Sequence, residues 1–142
     1  MKTDPREMLG RLFDSLGYAP TAYVEEFRSD EGLEPDWAVE LRDGSMQFLL
    51  TKQRTVATVF VLSKQLISEV TNVSAEETAT IRDVLSKHGS ATTFGQEMEV
   101  PPLGCKGAWL RYDNPQQVTH LEFNVGGIGM HMLTLMAPEH AP

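Results

Sequence analysis

The sequence predicts an α+β fold: a twisted, largely antiparallel sheet of about seven strands with two helices packed on it. Three patterns predict it. Trp37 to Leu62 alternates apolar and polar side chains on either side of Asp43-Gly44, a pair that suits the tight turn of a hairpin. Thr119 to Met136 does the same around Gly126-Gly127. Two further segments, opening at Asp4 and at Ser74, space their apolar residues at helical intervals behind cap signatures.

A chain of 142 residues has the length of one domain, and can bury about two-thirds of the surface its unfolded form exposes. Residues 1–142 read as that single domain, with 1–4 and 137–142 frayed. Hydrophobic residues make up 41% and charged residues 23%, an ordinary globular balance that needs neither metal nor disulfide, and no cofactor is expected. The one cysteine, Cys105, excludes an internal disulfide and suits a reducing compartment. The opening Met-Lys-Thr-Asp-Pro-Arg-Glu lacks the apolar core of a signal peptide, and no apolar run approaches the roughly 20 residues of a membrane span. A cytoplasmic location without membrane contact is therefore expected. A net charge of −8 argues against nucleic acid, whose phosphates require lysines and arginines gathered on one surface. It fits solubility, or attraction to a basic partner.

Taken in order, Asp4-Pro5-Arg6-Glu7 reads as a helix start, because Asp accepts from a free backbone N–H and proline is tolerated in the first turn. Met8, Leu9, Leu12, Phe13 and Leu16 then form one stripe, and Gly17 ends it. The stripe suits packing on a sheet or against the same helix of a second subunit. Thr21 to Phe27 reads as an edge strand. The stretch from Glu25 to Asp36 carries six carboxylates and one arginine without the ligand spacing of a calcium loop, and reads as a solvated loop.

In the first hairpin, a type I′ turn at Asp43-Gly44 pairs Arg42 with Ser45, Leu41 with Met46, Val39 with Phe48 and Trp37 with Leu50. The last three pairs share an apolar face. Thr55 to Leu62 is apolar on both faces, as an interior strand is. Lys52-Gln53-Arg54 turns into it, and Lys64 lies just beyond it. A capping box at Ser74-Ala75-Glu76-Glu77 opens a helix to His88, with Ile81, Val84 and Leu85 inward and Gly89 at its end. Phe94, Gln96, Met98 and Val100 alternate along one strand that Pro101-Pro102 ends. Ala108 to Tyr112 is a strand closed by Asp113-Asn114-Pro115. In the last hairpin, a two-residue turn at Gly126-Gly127 sets Val125 against Ile128, Phe123 against Met130, Leu121 against Met132 and Thr119 against Thr134.

That register places His131 across from Glu122 and diagonal to His120. Two imidazoles and a carboxylate with an open position are the ligand set of a catalytic zinc or non-haem iron. A polar sheet face without metal is the competing reading. Cys105-Lys106 invites a reactive thiol, because a neighbouring ammonium lowers a thiol pKa, although a lone cysteine is also a small packing residue. Gly126-Gly127-Ile128-Gly129 leads into a strand rather than a helix and so reads as a turn, not a phosphate loop. Met130, Met132 and Met136 follow one another on one face, either as core or as an adaptable apolar surface for a partner. There is no G-x-S-x-G elbow, phosphate-loop lysine or H-E-x-x-H helix.

The opening R-E-M-L-G-R-L-F-D-S-L-G-Y, residues 6–18, resembles the first helix of the class I (CesT-type) type III secretion chaperones. The small size, the acidity and an antiparallel sheet after that helix are also similar. The family's chains end in a long helix, whereas this one ends in two strands. The resemblance implies a homodimer that holds an extended segment of one secreted effector against its sheets and helices. A fainter, fold-level likeness to Mog1/PsbP-like proteins runs through L-G-C-K-G-A-W-L-R-Y and the closing M-L-T-L-M-A-P.

The function expected from these features is non-enzymatic: a chaperone-like homodimer holding an extended or apolar segment of a partner protein, with Leu9, Phe13, Met130 and Met132 as contacts. One alternative is a small metal- or ligand-binding enzyme using His120, Glu122 and His131. Another is an acidic immunity or inhibitor protein whose loop 25–36 covers a basic site.

Overall fold

The structure, a computed structural model, describes residues 4–28, 36–73 and 80–141. Its strands are β1 (Tyr23–Phe27), β2 (Trp37–Leu41), β3 (Met46–Leu50), β4 (Val56–Val61), β5 (Thr93–Gly95), β6 (Met98–Val100), β7 (Gly104–Lys106), β8 (Trp109–Asp113), β9 (Val118–Phe123) and β10 (Met130–Met136). Two helices, α1 (Lys64–Thr71) and α2 (Ile81–His88), lie between β4 and β5 in the chain. Eight strands form one antiparallel sheet in the order β1-β2-β3-β4-β10-β9-β8-β5, and β6 pairs with β7 apart from it. The α+β class is as predicted, with eight strands in an open sheet instead of seven. Among the described residues no helix is long and apolar enough to cross a membrane.

β4 occupies the middle of the sheet because its residues can be buried on both sides. Val59 and Val61 are fully buried on one face and Thr58 is buried on the other. The core lies on the Val59 face, where Phe48, Leu121, Leu133 and Leu135 meet Phe13, Ile67 and Val84 from outside the sheet. On the opposite face, neighbouring strands align Phe60, Thr134, His120 and Arg111 in one row, and Met132, Glu122 and Trp109 in the next. All of these except Thr134 are only half-buried.

The N-terminal stripe does not make the predicted helix. Two 3-10 turns, Pro5–Glu7 and Phe13–Leu16, stand in its place. Between them Gly10 takes φ +79, and the backbone turns to the β3–β4 connection for its hydrogen bonds. Gly10 N donates to Val56 O, Phe13 N to Arg54 O and Val56 N to Arg11 O, each at 2.8 Å. A helix over these residues would have to forgo those bonds. The cap itself is as predicted, with Asp4 accepting from Arg6 N at 2.9 Å, and Gly17 ends the segment at φ +85. Met8, Phe13 and Leu16 are buried on the sheet, whereas Leu12 is 53% exposed.

The first helix is instead α1. Ser63 caps it by accepting from Leu66 N, and Asn72 closes it in the left-handed conformation. The predicted cap at Ser74 lies outside the described residues. α2 begins behind a capping box of its own, in which Thr80 N donates to Asp83 Oδ2 and Asp83 N donates to Thr80 Oγ1.

The first hairpin has the predicted register, with Trp37 opposite Leu50 and Val39 opposite Phe48. Its turn differs. Of Asp43 and Gly44 only the glycine has positive φ, so the turn is not type I′. Leu41 O accepts from Gly44 N, and the Asp43 carboxylate accepts from both Ser45 N and Ser45 Oγ. The carboxylate holds Asp43 in the ordinary region and lengthens the loop. The single strand predicted from Phe94 to Val100 is broken at Gln96-Glu97, its first part joining the main sheet and its second part pairing with β7 across cis Pro101-Pro102.

Candidate functional site

The β9–β10 hairpin decides which side chains reach the surface. Phe123 opposes Met130 as predicted, but the register then shifts, and Met132 opposes Glu122 rather than Leu121. His131 is the extra residue of a β-bulge. The connection is also longer than two residues: Gly127 N donates to Asn124 O, Asn124 N donates to Gly129 O, and Gly126, Gly127 and Gly129 all have positive φ. One added residue exchanges the faces of everything after it. Leu133 and Leu135 therefore enter the core, and Met132 and Met136 are half-buried on the far face with Thr134.

This shift undoes the predicted ligand geometry. His131 no longer lies across from Glu122 and is exposed on the bulge. Among the described residues no three His, Cys, Asp or Glu side chains are arranged to hold a metal ion. His120 stacks on Trp109 with ring centres 5.1 Å apart and 28° between the planes, opposite Arg111 in the ladder. Burial lowers its pKa, Glu122 opposes that shift, and Lys106 and Arg111 add to it.

The four predicted partner contacts are not together on the surface. Phe13 is buried in a cluster of rings, 5.0 Å from Tyr23, 5.4 Å from Phe48 and 5.7 Å from Tyr18. Met130 is fully buried beside Phe123. Leu9 and Met132 are half-buried. Of the acidic stretch 25–36, residues 29–35 lie outside the described residues. Cys105 is exposed on β7.

A different group of apolar side chains is exposed where α2, β5, the β6–β7 hairpin and the 124–129 loop come together. Leu85, Phe94, Met98, Leu103, Val125 and Ile128 all remain in solvent there, Phe94 at 67% and Leu103 at 85%. They come from α2, β5, the β6–β7 hairpin and the 124–129 loop, which are tied to one another. Gly126 N donates to Glu97 Oε1 at 2.5 Å, and Thr80 bridges to Ile128. Between α2 and the β5–β8 pair runs a cleft of about 600 Å³ lined by Ile81, Leu85, Ala91, Phe94 and Leu110, with Gly126-Gly127 at its rim. A second hollow of about 710 Å³ lies between the β6–β7 hairpin and the end of β9, with Met98, Leu103 and Val125 on its walls.

Two glycines permit this arrangement. A Cβ on Gly95 would fall 2.1 Å from Trp109 Nε1, and one on Gly107 would fall 1.9 Å from Phe123 O. The first lets the indole lie against β5, and the second lets the hairpin's return strand pass β9. Charge is also distributed unevenly. Residues 80–107 hold three basic and three acidic side chains, so the whole net charge of −8 belongs to the rest of the chain. One sequence signal for this region is Leu103, a large apolar residue between Pro102 and Gly104 where a turn tip is normally polar.

Compared with protein-family models, curated protein sequences and solved structures, the chain matches none of them.

Proposed function

We propose that the chain is a non-enzymatic, chaperone-like protein-binding module whose partner surface is formed by α2, β5, the β6–β7 hairpin and the 124–129 loop. One observation carries this reading: five large exposed apolar side chains from four separate segments line two hollows, Leu85 and Phe94 the first, Met98, Leu103 and Val125 the second. Scattered exposed leucines are ordinary on a soluble protein, but exposed apolar side chains gathered on the walls of two hollows mark an interaction surface. Hollows of these volumes are large enough to take several side chains of a partner. The likeness of residues 6–18 to class I secretion chaperones lies in the spacing of apolar residues alone, since the segment folds as two 3-10 turns and not as a helix, and a secreted effector is one candidate partner. Pairing of two copies belongs to this reading too, through a surface other than the 5–16 segment, whose Met8, Phe13 and Leu16 are already buried within the chain.

A permanently unfolded, carboxymethylated polypeptide serves as the probe. It is expected to co-elute with the wild-type protein and to be released by Met98→Lys with Leu103→Glu, two exposed substitutions that leave the core intact. Absence of binding to both this polypeptide and an apolar fluorescent dye would overturn the reading. Sedimentation velocity of the same samples reads the oligomeric state.

A further inference from the structure

We propose that the free edge of β5 and the cleft beside it take an extended, uncharged segment of the partner as an added strand, anchored by a large apolar side chain under α2. This rests on the protein-binding reading and specifies how the partner is held.

The two edges of the sheet are unlike. β1 carries Glu25 and Glu26, and charge on an edge strand discourages further pairing. β5, Thr93-Phe94-Gly95, carries neither charge nor proline, and among the described residues its only neighbour in the sheet is β8. Its backbone therefore offers hydrogen-bonding groups with nothing to repel an incoming strand.

The side chains beside that edge fit the same occupant. Phe94 opposes Leu110, which is buried on the face that α2 covers, so Phe94 points to the cleft side. Thr93 and Gly95 oppose Arg111 and Trp109 and point to the other face. A strand added beside β5 alternates in the same two directions. Its residue next to Phe94 is aimed at the cleft of about 600 Å³ walled by Ile81 and Leu85. Its flanking residues pass the Trp109 indole, which lies close against Gly95. Residues 80–107 have no net charge, so the surface neither attracts a basic segment nor adds repulsion toward an acidic one. Alternating large apolar and small polar residues is the chemistry it selects. The edge is three residues long, which a short extended segment matches, whereas a second copy would bring a net charge of −8 that repels its like.

The test uses the full chain and a fluorescein-labelled peptide alternating Leu or Phe with Thr, beside the same peptide N-methylated at alternate amides. Wild-type protein is expected to bind the first and to bind the second at least about tenfold more weakly, because a strand edge recognises backbone N–H groups. Phe94→Lys and Leu85→Glu, both at exposed positions, are each expected to weaken binding about tenfold or more, and Val24→Lys on the β1 edge to leave it unchanged. Equal binding of the N-methylated peptide, or loss on Val24→Lys alone, overturns strand addition at β5 while leaving a protein-binding module. A wild-type dimer that Phe94→Lys makes monomeric, with no peptide bound, assigns the edge to a second copy and also overturns it. If neither the peptide nor the carboxymethylated polypeptide binds, the underlying reading fails as well.

Discussion

The guanidinium of Arg54 lies 4.8 Å from the ring centre of Trp37 and holds Glu25 and Asp14 in ion pairs of 2.6 and 3.2 Å. Phe13 is 6.0 Å away on the same cation. One side chain in the turn between β3 and β4 thus joins β1, β2 and the N-terminal segment. Its main chain contributes as well, since Arg54 O accepts from Phe13 N at 2.8 Å while Arg54 itself sits at φ +68.

Arg54→Ala is expected to cost about 1–2 kcal/mol in urea unfolding, the size of a partly screened ion-pair network with a cation–π contact. Arg54→Gly loses the same contacts but suits the left-handed backbone, and is expected to be less destabilised than the alanine variant by about 0.5–1 kcal/mol. The reverse order would show that the backbone there carries no strain.

Strand pairing was legible wherever alternation was unbroken. Val39 against Phe48 and Phe123 against Met130 are both where the hairpin patterns put them. The bulge at His131 was not legible, because Met-His-Met-Leu-Thr-Leu-Met offers an apolar residue to the core in either register. The 5–16 stripe has the same spacing for a helix as for two short turns, and hydrogen bonds from residues 54–56 chose between them. In α1 the β-branched Ile67, Val70 and Thr71 mimic a continuing strand and hid the Ser63 cap. The candidate site was illegible for a related reason. Phe94 and Met98 read as one face of a single strand, which in fact breaks at Gln96-Glu97, with β6 leaving the sheet.

The glycines beside the site separate two kinds of crowding. Gly107→Ala would press a methyl on the Phe123 carbonyl, a backbone atom held in β9, and is expected to cost about 3 kcal/mol or more or to prevent folding. Gly95→Ala meets the Trp109 side chain, which can shift, so a smaller loss of about 1–3 kcal/mol with a changed tryptophan emission is expected. Gly44→Ala has open space but φ +77, and is expected to cost only about 1 kcal/mol. Equal losses at all three would mean that Gly95 and Gly107 are not close-approach positions.

His120 makes stability depend on pH in a definite direction. Burial against Trp109 favours the neutral ring, so its folded-state pKa lies below the ordinary value of 6.5. The unfolded chain then binds the proton first as the solution is acidified. The His120 contribution is complete above pH about 6.5 and is lost as pH falls through the folded-state pKa, with a slope of at most about 1.4 kcal/mol per pH unit. His120→Phe keeps a ring for Trp109 and is expected to flatten the urea midpoint between pH 7.5 and 5, relative to wild type. Glu122, Arg111 and Lys106 face the ring and remain in the variant, so their charges cancel in the comparison. An unchanged slope would place the acid sensitivity elsewhere.

Because His131 is a bulge residue, its removal tests the register directly. Deleting His131 joins Met130, which opposes Phe123, to Met132, which opposes Glu122, so Leu133 and Leu135 keep their places in the core. The cost is expected to stay within about 1–2 kcal/mol, because only the local kink is lost. Deleting Leu133 shortens the same strand by one residue but exchanges the faces beyond it, moving Leu135 out of the core and Met136 in. That variant loses at least one fully buried leucine, expected to cost about 2–5 kcal/mol, and its cooperative transition should broaden or vanish. If the two deletions behaved alike, or if deleting His131 were the more damaging, Met132 would have to pair with Leu121 after all and the far face of the sheet would be differently composed.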